Sequence, residues 1–177
     1  MPYFAAAMAR SPKGWTAREL DLDEVEEFSE LIDLLRDVDD QADLTLLFLE
    51  EDDVYVGIVR ADTAEDPRVF VSDSRAGEES RIAELLLEEI GRPDPVPFSV
   101  DEEVLEVAPE VVEDEEESGE TTDVVPAGDA DLVADLGTPA EQLLALCAHE
   151  GLLPEDVITA VAEKAGCLEE LEEIREV

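Results

Sequence analysis

The sequence predicts an α+β protein: an antiparallel sheet with flanking helices in the order β-β-α-β-β-β-α, an acidic linker and a small C-terminal helical segment. Two observations carry this prediction. Short apolar or alternating runs bounded by turn residues recur five times before residue 92, which is typical of strands. Apolar residues recur at helical spacing in 21–38 and 80–90, and such helices bury their apolar stripes on a sheet.

The first two strands are predicted to form a hairpin. The segments 3–10 and 15–22 flank the sequence SPKG, whose residue types favour a turn. A helix over 21–38 follows, and Asp23 with Glu26 is typical of a capping box at its start. The side chains expected on its apolar face are Val25, Phe28, Ile32 and Leu35.

Three further strands and a second helix complete the sheet region. The run DLTLLFLE, 43–50, is nearly continuous in apolar residues, as expected of a central strand buried on both faces. The strand 54–60 places Val54, Val56 and Ile58 on one face, and a short strand, RVFVSD, follows Pro67. The helix 80–90 is expected to turn Ile82, Leu85, Leu86 and Ile90 inward.

Charge is the unusual quantity in the composition. The chain has 51 acidic and 11 basic residues and a formal net charge of -40. Such a charge repels phosphate backbones and anionic membrane surfaces, so we expect no direct contact with nucleic acid or membrane. The alternative interpretation is that the dispersed acids serve only solvation, as in a salty cytoplasm.

The basic residues divide the chain into three parts. No Lys or Arg occurs between Asp94 and Glu163. The change in charge composition begins at the sequence GRPDPVPF, whose prolines break regular structure. We therefore predict an α+β domain over 1–91, an acidic, Pro-containing and disordered linker over 92–128, and a short helical bundle over 129–177.

The linker contains five consecutive acids: Glu113, Asp114, Glu115, Glu116 and Glu117. Blocks of like charge repel each other and stay extended, which favours a solvated tether. The functional alternative is an acidic contact for a basic partner, and these five residues are the candidate partner-binding residues.

The C-terminal part is predicted to form short helices with clear boundaries. Thr138 is a candidate N-cap for the first helix, while Pro154 and Gly166 are expected to open and close the next. Leu168, Leu171 and Ile174 form one stripe in the last. Because about fifty residues of short helices are rarely stable alone, this bundle should pack on the sheet, on another copy or on a partner.

A metal site is conceivable at Cys147, His149 and Cys167, with nearby carboxylates as further ligands. However, Cys147 and His149 are two apart on a predicted helix and point to different faces, and no C-x-x-C pair is present. A buried thiol beside a helix-end histidine explains them as well. Motifs for nucleotide binding, phosphoryl transfer or a nucleophile elbow are absent. We therefore predict no catalytic residue and no cofactor, and keep a metal-dependent enzyme as the alternative.

Several sequence segments, taken together and in this order, resemble those of a bacterial family of tRNA adenosine deaminase-associated proteins. They are YFAAAMAR, GWTARELDLDEVEEF, LIDLLRDV, DPRVFVSDSRA and DLGTPAEQLLALCAHEGLLPEDV, spread over about 1–90 and 128–168. The resemblance implies association with the enzyme that converts adenosine to inosine in tRNA, and it supplies no functional residues. The chain lacks the H-x-E and P-C-x-x-C pattern of the deaminase itself.

The combined prediction is a non-enzymatic accessory protein that contacts the deaminase and not the RNA. Two cysteines do not make a disulfide framework, and the N-terminus lacks the features of a secretory signal. A reduced cytoplasm is the expected location. The sequence does not predict an oligomeric state.

Overall fold

The computed structural model describes residues 3–51, 54–63, 66–90, 126–148 and 153–176, and its α+β class confirms the predicted fold. The strands are β1 Tyr3–Ser11, β2 Gly14–Glu19, β3 Leu44–Glu51, β4 Tyr55–Asp62, β5 Arg68–Val71 and β6 Ala127–Gly128. They form one antiparallel sheet in the order β2-β1-β3-β4-β5-β6. The α-helices are α1 Phe28–Arg36, α2 Arg81–Ile90, α3 Ala140–Ala148, α4 Pro154–Ala165 and α5 Leu168–Arg175. Short 3₁₀ helices cover Ser74–Glu78 and Ala134–Leu136.

Strand β3 lies at the centre of the sheet, with β1 and β4 on its two sides, as its apolar run predicts. Leu47 and Leu49 belong to the core on one face, while Leu46 and Phe48 belong to the core on the other. Because both faces of β3 are covered, polar residues along it are confined to its ends and to the buried Thr45.

Helices α1 and α2 cover one face and form what we call the first core. Leu31 and Leu35 of α1 and Leu86 of α2 are fully buried there. The predicted capping box of Asp23 and Glu26 is wrong. The carboxylate of Glu30 instead accepts the amides of Glu26 and Glu27 at 2.8 and 3.1 Å, and the helix begins only at Phe28. The reason is a contact with β1: the Tyr3 hydroxyl accepts the Leu22 amide at 2.7 Å. Leu22 then begins a turn in which the Val25 amide donates to the Leu22 carbonyl oxygen at 3.2 Å.

Helices α3, α4 and α5 cover the opposite face and form the second core. Leu143, Ile158, Val161 and Leu171 are fully buried against the sheet side chains of that face, such as Phe48. The C-terminal helices therefore pack on the sheet, one of the three options that the sequence leaves open. None of the described helices combines the length and the apolar character needed to cross a bilayer.

The ends of the C-terminal helices agree only partly with the boundaries predicted from the sequence. Pro154 opens α4 and Gly166 closes it in a left-handed conformation, as predicted. Thr138 does not act as the predicted N-cap: its hydroxyl has no hydrogen-bond partner, and α3 begins two residues later. The side chain is almost completely buried, and its amide is already used in a turn with the carbonyl oxygen of Val133 at 3.2 Å.

Strand β6 is a feature that the sequence did not predict. Ala127 and Gly128 pair with Val71 and Phe70 of β5, within the last two residues of the range predicted as linker. Gly128 has a positive φ, and a Cβ there would clash with the carbonyl oxygen of Val69, so only glycine fits this approach. The rest of that range lies almost entirely outside the described residues, and the division into three parts stays a prediction.

Candidate functional site

The two cysteines predicted as possible metal ligands lie in the helical layer. Cys147 on α3 is half-buried against the second core, and Cys167, just before α5, is fully buried in it. His149 lies outside the described residues. Within the described part of the chain, no group of three or more His, Cys, Asp or Glu side chains is arranged to hold a metal ion.

The environment of both thiols opposes thiolate chemistry. Burial raises the pKa of Cys147 to about 12, and burial together with the charge of Glu170 raises the pKa of Cys167 to about 12. Metal ligation and nucleophilic attack both require the thiolate. Near neutral pH, these side chains therefore behave as small apolar groups of the second core.

We expect the native thiols to resist alkylation. With a pKa of about 12, the thiolate fraction at pH 8 is about 10⁻⁴, against roughly 0.2 for an ordinary cysteine. Iodoacetamide labelling followed by mass spectrometry should thus be about a thousandfold slower in the folded chain than in urea, and should accelerate as pH rises. Rapid labelling of the folded protein at pH 8 would contradict this placement.

The predicted partner-binding residues, Glu113, Asp114, Glu115, Glu116 and Glu117, lie outside the described residues. What the described part does show is how the scarce basic residues are used. Arginines join the sheet to the C-terminal segment at three places.

The first of these contacts has a buried arginine and an exposed carboxylate, Asp135. Arg60 on β4 is 7% exposed, and its guanidinium donates to both carboxylate oxygens of Asp135 at 2.5 and 2.9 Å. The same group donates to the Leu132 carbonyl oxygen at 2.6 Å and to Asp62 at 3.0 Å. The bond from Arg60 holds the pKa of Asp135 below its usual value. One arginine thus satisfies two carboxylates and a backbone carbonyl.

The other two contacts are half-exposed. Arg68 on β5 donates to Asp129 at 2.5 Å, which lowers the pKa of that carboxyl. Arg175 on α5 donates to Glu50 at 3.3 Å and stacks over the Phe4 ring, 5.1 Å from its centroid. These cations are occupied by carboxylates of the same chain, so they offer little positive charge to an external phosphate.

An acidic cleft of about 340 Å³ lies where α1 ends beside β3 and β4. It is lined by Arg36, Asp39, Asp40, Ala42, Thr45, Ala61, Asp62 and Thr63. Carboxylates outnumber the one cation, so the cleft presents mainly hydrogen-bond acceptors and negative potential. Chemically, it suits the basic side chains of a protein partner better than an anion.

Sequence reasoning did not assign a role to Arg60, although a signal was present. Arg60 stands in a strand that is otherwise apolar and shares the face of Val56 and Ile58. A charged residue on an inward face requires a buried partner. Asp62, two residues further along the same strand, is a local partner. The Leu132 carbonyl oxygen and Asp135 lie 72 and 75 residues away, and no local pattern identifies them.

Comparison with known protein families identifies the family of the chain. A family model described as "Rv3753c-like tRNA adenosine deaminase-associated protein" matches residues 3–168, nearly the whole chain. No curated protein and no solved structure matches the sequence.

Proposed function

The chain belongs to the family of Rv3753c-like tRNA adenosine deaminase-associated proteins, and on that premise we propose that it is a non-enzymatic accessory protein that binds the deaminase and not its RNA. The observation that carries the proposal is the formal net charge of -40 in a chain whose family is described as tRNA adenosine deaminase-associated. A protein that binds tRNA directly needs accessible cations to replace the counterions of the phosphates.

The use of the arginines supports this choice of partner. Arg60, Arg68 and Arg175 bind carboxylates of the same chain, so these three of the eleven basic residues are occupied by internal contacts. A deaminase that binds tRNA must itself present a basic surface. An acidic accessory protein is complementary to that surface, and charge complementarity of this kind speeds association and selects partners.

Two acidic features offer the contact. One is the acidic cleft beside α1, and the other is the run Glu113–Glu117, which brings five negative charges within a short stretch. In this proposal the run covers the basic groove of the deaminase in the manner of an RNA backbone. The protein therefore acts in the cytoplasm, where the deaminase meets its tRNA.

The test is a calorimetric titration of the cognate deaminase with two charge variants. The first replaces Glu113–Glu117 by the matching amides. The second, a matched control, removes five charges from exposed positions on the last two helices and at the residue that follows them: Glu163, Glu169, Glu172, Glu173 and Glu176. Replacement is preferable to deletion because Ala127 and Gly128 at the end of the same segment pair in the sheet.

We expect the affinity of the native chain to fall at least tenfold from about 50 mM to about 500 mM salt, as screening shortens the range of charge interactions. The first variant should lose most of its affinity at low salt, and the control should lose little. Absence of binding by the native chain would overturn the proposed function. Equal losses in the two variants would overturn the role of 113–117.

A further inference from the structure

A buried carboxylate lies at the end of β3, away from the contacts described above. Glu51 is 6% exposed, and its Oε2 accepts hydrogen bonds from the Ser80 hydroxyl at 2.6 Å and the Tyr55 hydroxyl at 3.1 Å. The Ser80 oxygen in turn accepts the Ala83 amide of α2 at 3.1 Å. The carboxylate is therefore fixed in position by β4 and by the residues that open α2.

The other oxygen of Glu51 has no such partner. Among the described residues, none donates a hydrogen bond to Oε1, and no Lys or Arg lies within ion-pair distance of the carboxylate. Glu51 lines a cleft of about 200 Å³, together with Tyr3, Asp23, Glu79, Ser80, Arg81 and Ile82. The guanidinium of Arg81 is directed at the carbonyl oxygens of Leu22 and Asp23 instead, at 3.4 and 2.7 Å.

This arrangement is unusual energetically. A carboxylate removed from water is normally paired with a cation, because hydroxyl donors recover only part of the lost hydration. Both hydroxyls are protonated at neutral pH and can donate, and burial raises the pKa of Tyr55 further. The site thus has a pre-positioned acceptor, two donors that fix it, and an open volume where a counter-ion would sit.

We propose that the Glu51 cleft binds a guanidinium group, and that an arginine side chain of the deaminase supplies it. The assignment of that arginine to the deaminase rests on the proposed function, whereas the affinity of the cleft for guanidinium does not. Asp23 and Glu79 also line this cleft, and a planar guanidinium, with five N–H donors, suits a carboxylate that has acidic neighbours. Interface arginines held in this way commonly contribute much of the binding energy.

The first experiment uses the chain alone, with methylguanidinium chloride as the probe and backbone amide NMR shifts as the signal. In the native chain, the amides of Ser80 and Ala83 should shift saturably. Glu51→Gln keeps the shape of the side chain and should weaken the probe's affinity at least tenfold, while the matched control Glu163→Gln, exposed on α4, should leave it unchanged. Equal titrations of the native chain and Glu51→Gln would overturn the site.

A second variant covers the case in which Glu51→Gln does not fold. The double change Asp23→Asn and Glu79→Gln alters only exposed side chains of the cleft wall and should also weaken the probe severalfold. An unchanged titration in this variant would overturn the site as well.

The second experiment repeats the deaminase titration with Glu51→Gln and Glu163→Gln. A loss of at least tenfold in the first and little in the second supports the assignment to an arginine of the deaminase. Equal affinity of the native chain and Glu51→Gln would overturn that assignment and leave the proposed function standing. Failure of the native chain to bind would overturn the proposed function, and the methylguanidinium titration would still decide whether the cleft takes a guanidinium.

Discussion

Arg60→Ala should lower the free energy of unfolding by about 3–5 kcal/mol, the usual cost of removing one member of a buried ion pair. The substitution leaves Asp62, whose side chain is 13% exposed, without its cation. It also leaves the Leu132 carbonyl oxygen without the guanidinium and removes the strongest polar contact between β4 and the C-terminal segment.

Urea denaturation followed by circular dichroism measures this effect. The matched control is Arg10→Ala, since Arg10 and Asp43 form a pair at 3.5 Å with side chains 40% and 65% exposed. Such surface pairs contribute less than about 1 kcal/mol. If Arg60→Ala cost no more than the control, Arg60 would not hold the two parts of the molecule together.

Ile158→Ala should cost about 2–5 kcal/mol, because it leaves a cavity in the second core. Ile158 on α4 is fully buried among side chains of both the sheet and the C-terminal helices. The single tryptophan, Trp15 on β2, packs against the same core and provides a fluorescence signal for it. We expect the fluorescence and the far-ultraviolet circular dichroism to report one transition at the same lowered urea concentration.

The control for this change is Leu144→Ala, at a position on α3 that is 38% exposed. Surface substitutions of this kind usually change stability by less than about 0.5 kcal/mol. Two separate transitions, with only the Trp15 signal moved by Ile158→Ala, would mean that the helices and the sheet unfold independently.

The sequence predicted the elements whose signal is local. The alternation and apolar runs that define β1 to β5 are contained within each strand, so their order along the chain and the central place of β3 in the sheet followed from them. The start of α1 was wrong because a tertiary contact overrides the local capping signal. The Tyr3 hydroxyl, 19 residues before Leu22, holds the chain out of the helix.

The features that the sequence missed depend on distant partners. The two-residue strand β6 exists because Gly128 can approach Val69 and Phe70 closely, and neither its length nor its neighbours resemble a strand. Glu51 begins the acidic sequence EDD between two predicted strands, and Tyr55 lies near the start of the second of them. Only the fold brings Ser80, 29 residues further on, to the same carboxylate.

The composition predicted that the surface charge is negative, but it did not predict where contacts form. The net charge of -40 argues against an RNA partner without any structure. The fold shows, in addition, that Arg60, Arg68 and Arg175 bind carboxylates of the same chain. These arginines join the sheet to the C-terminal segment. Which acidic side chains can contact a partner depends on how far each is buried and on the residues around it. The amino-acid composition gives no information on either.

The choice of partner can be measured with one fluorescently labelled sample of the native chain. It is titrated in parallel with the cognate deaminase and with the tRNA substrate alone, in the same buffer at about 0.15 M salt, and anisotropy is recorded. We predict a saturable rise with the deaminase and no change with the tRNA over the same concentrations. A saturable rise with the tRNA and none with the deaminase would contradict the proposal that this acidic chain binds the enzyme and not the RNA.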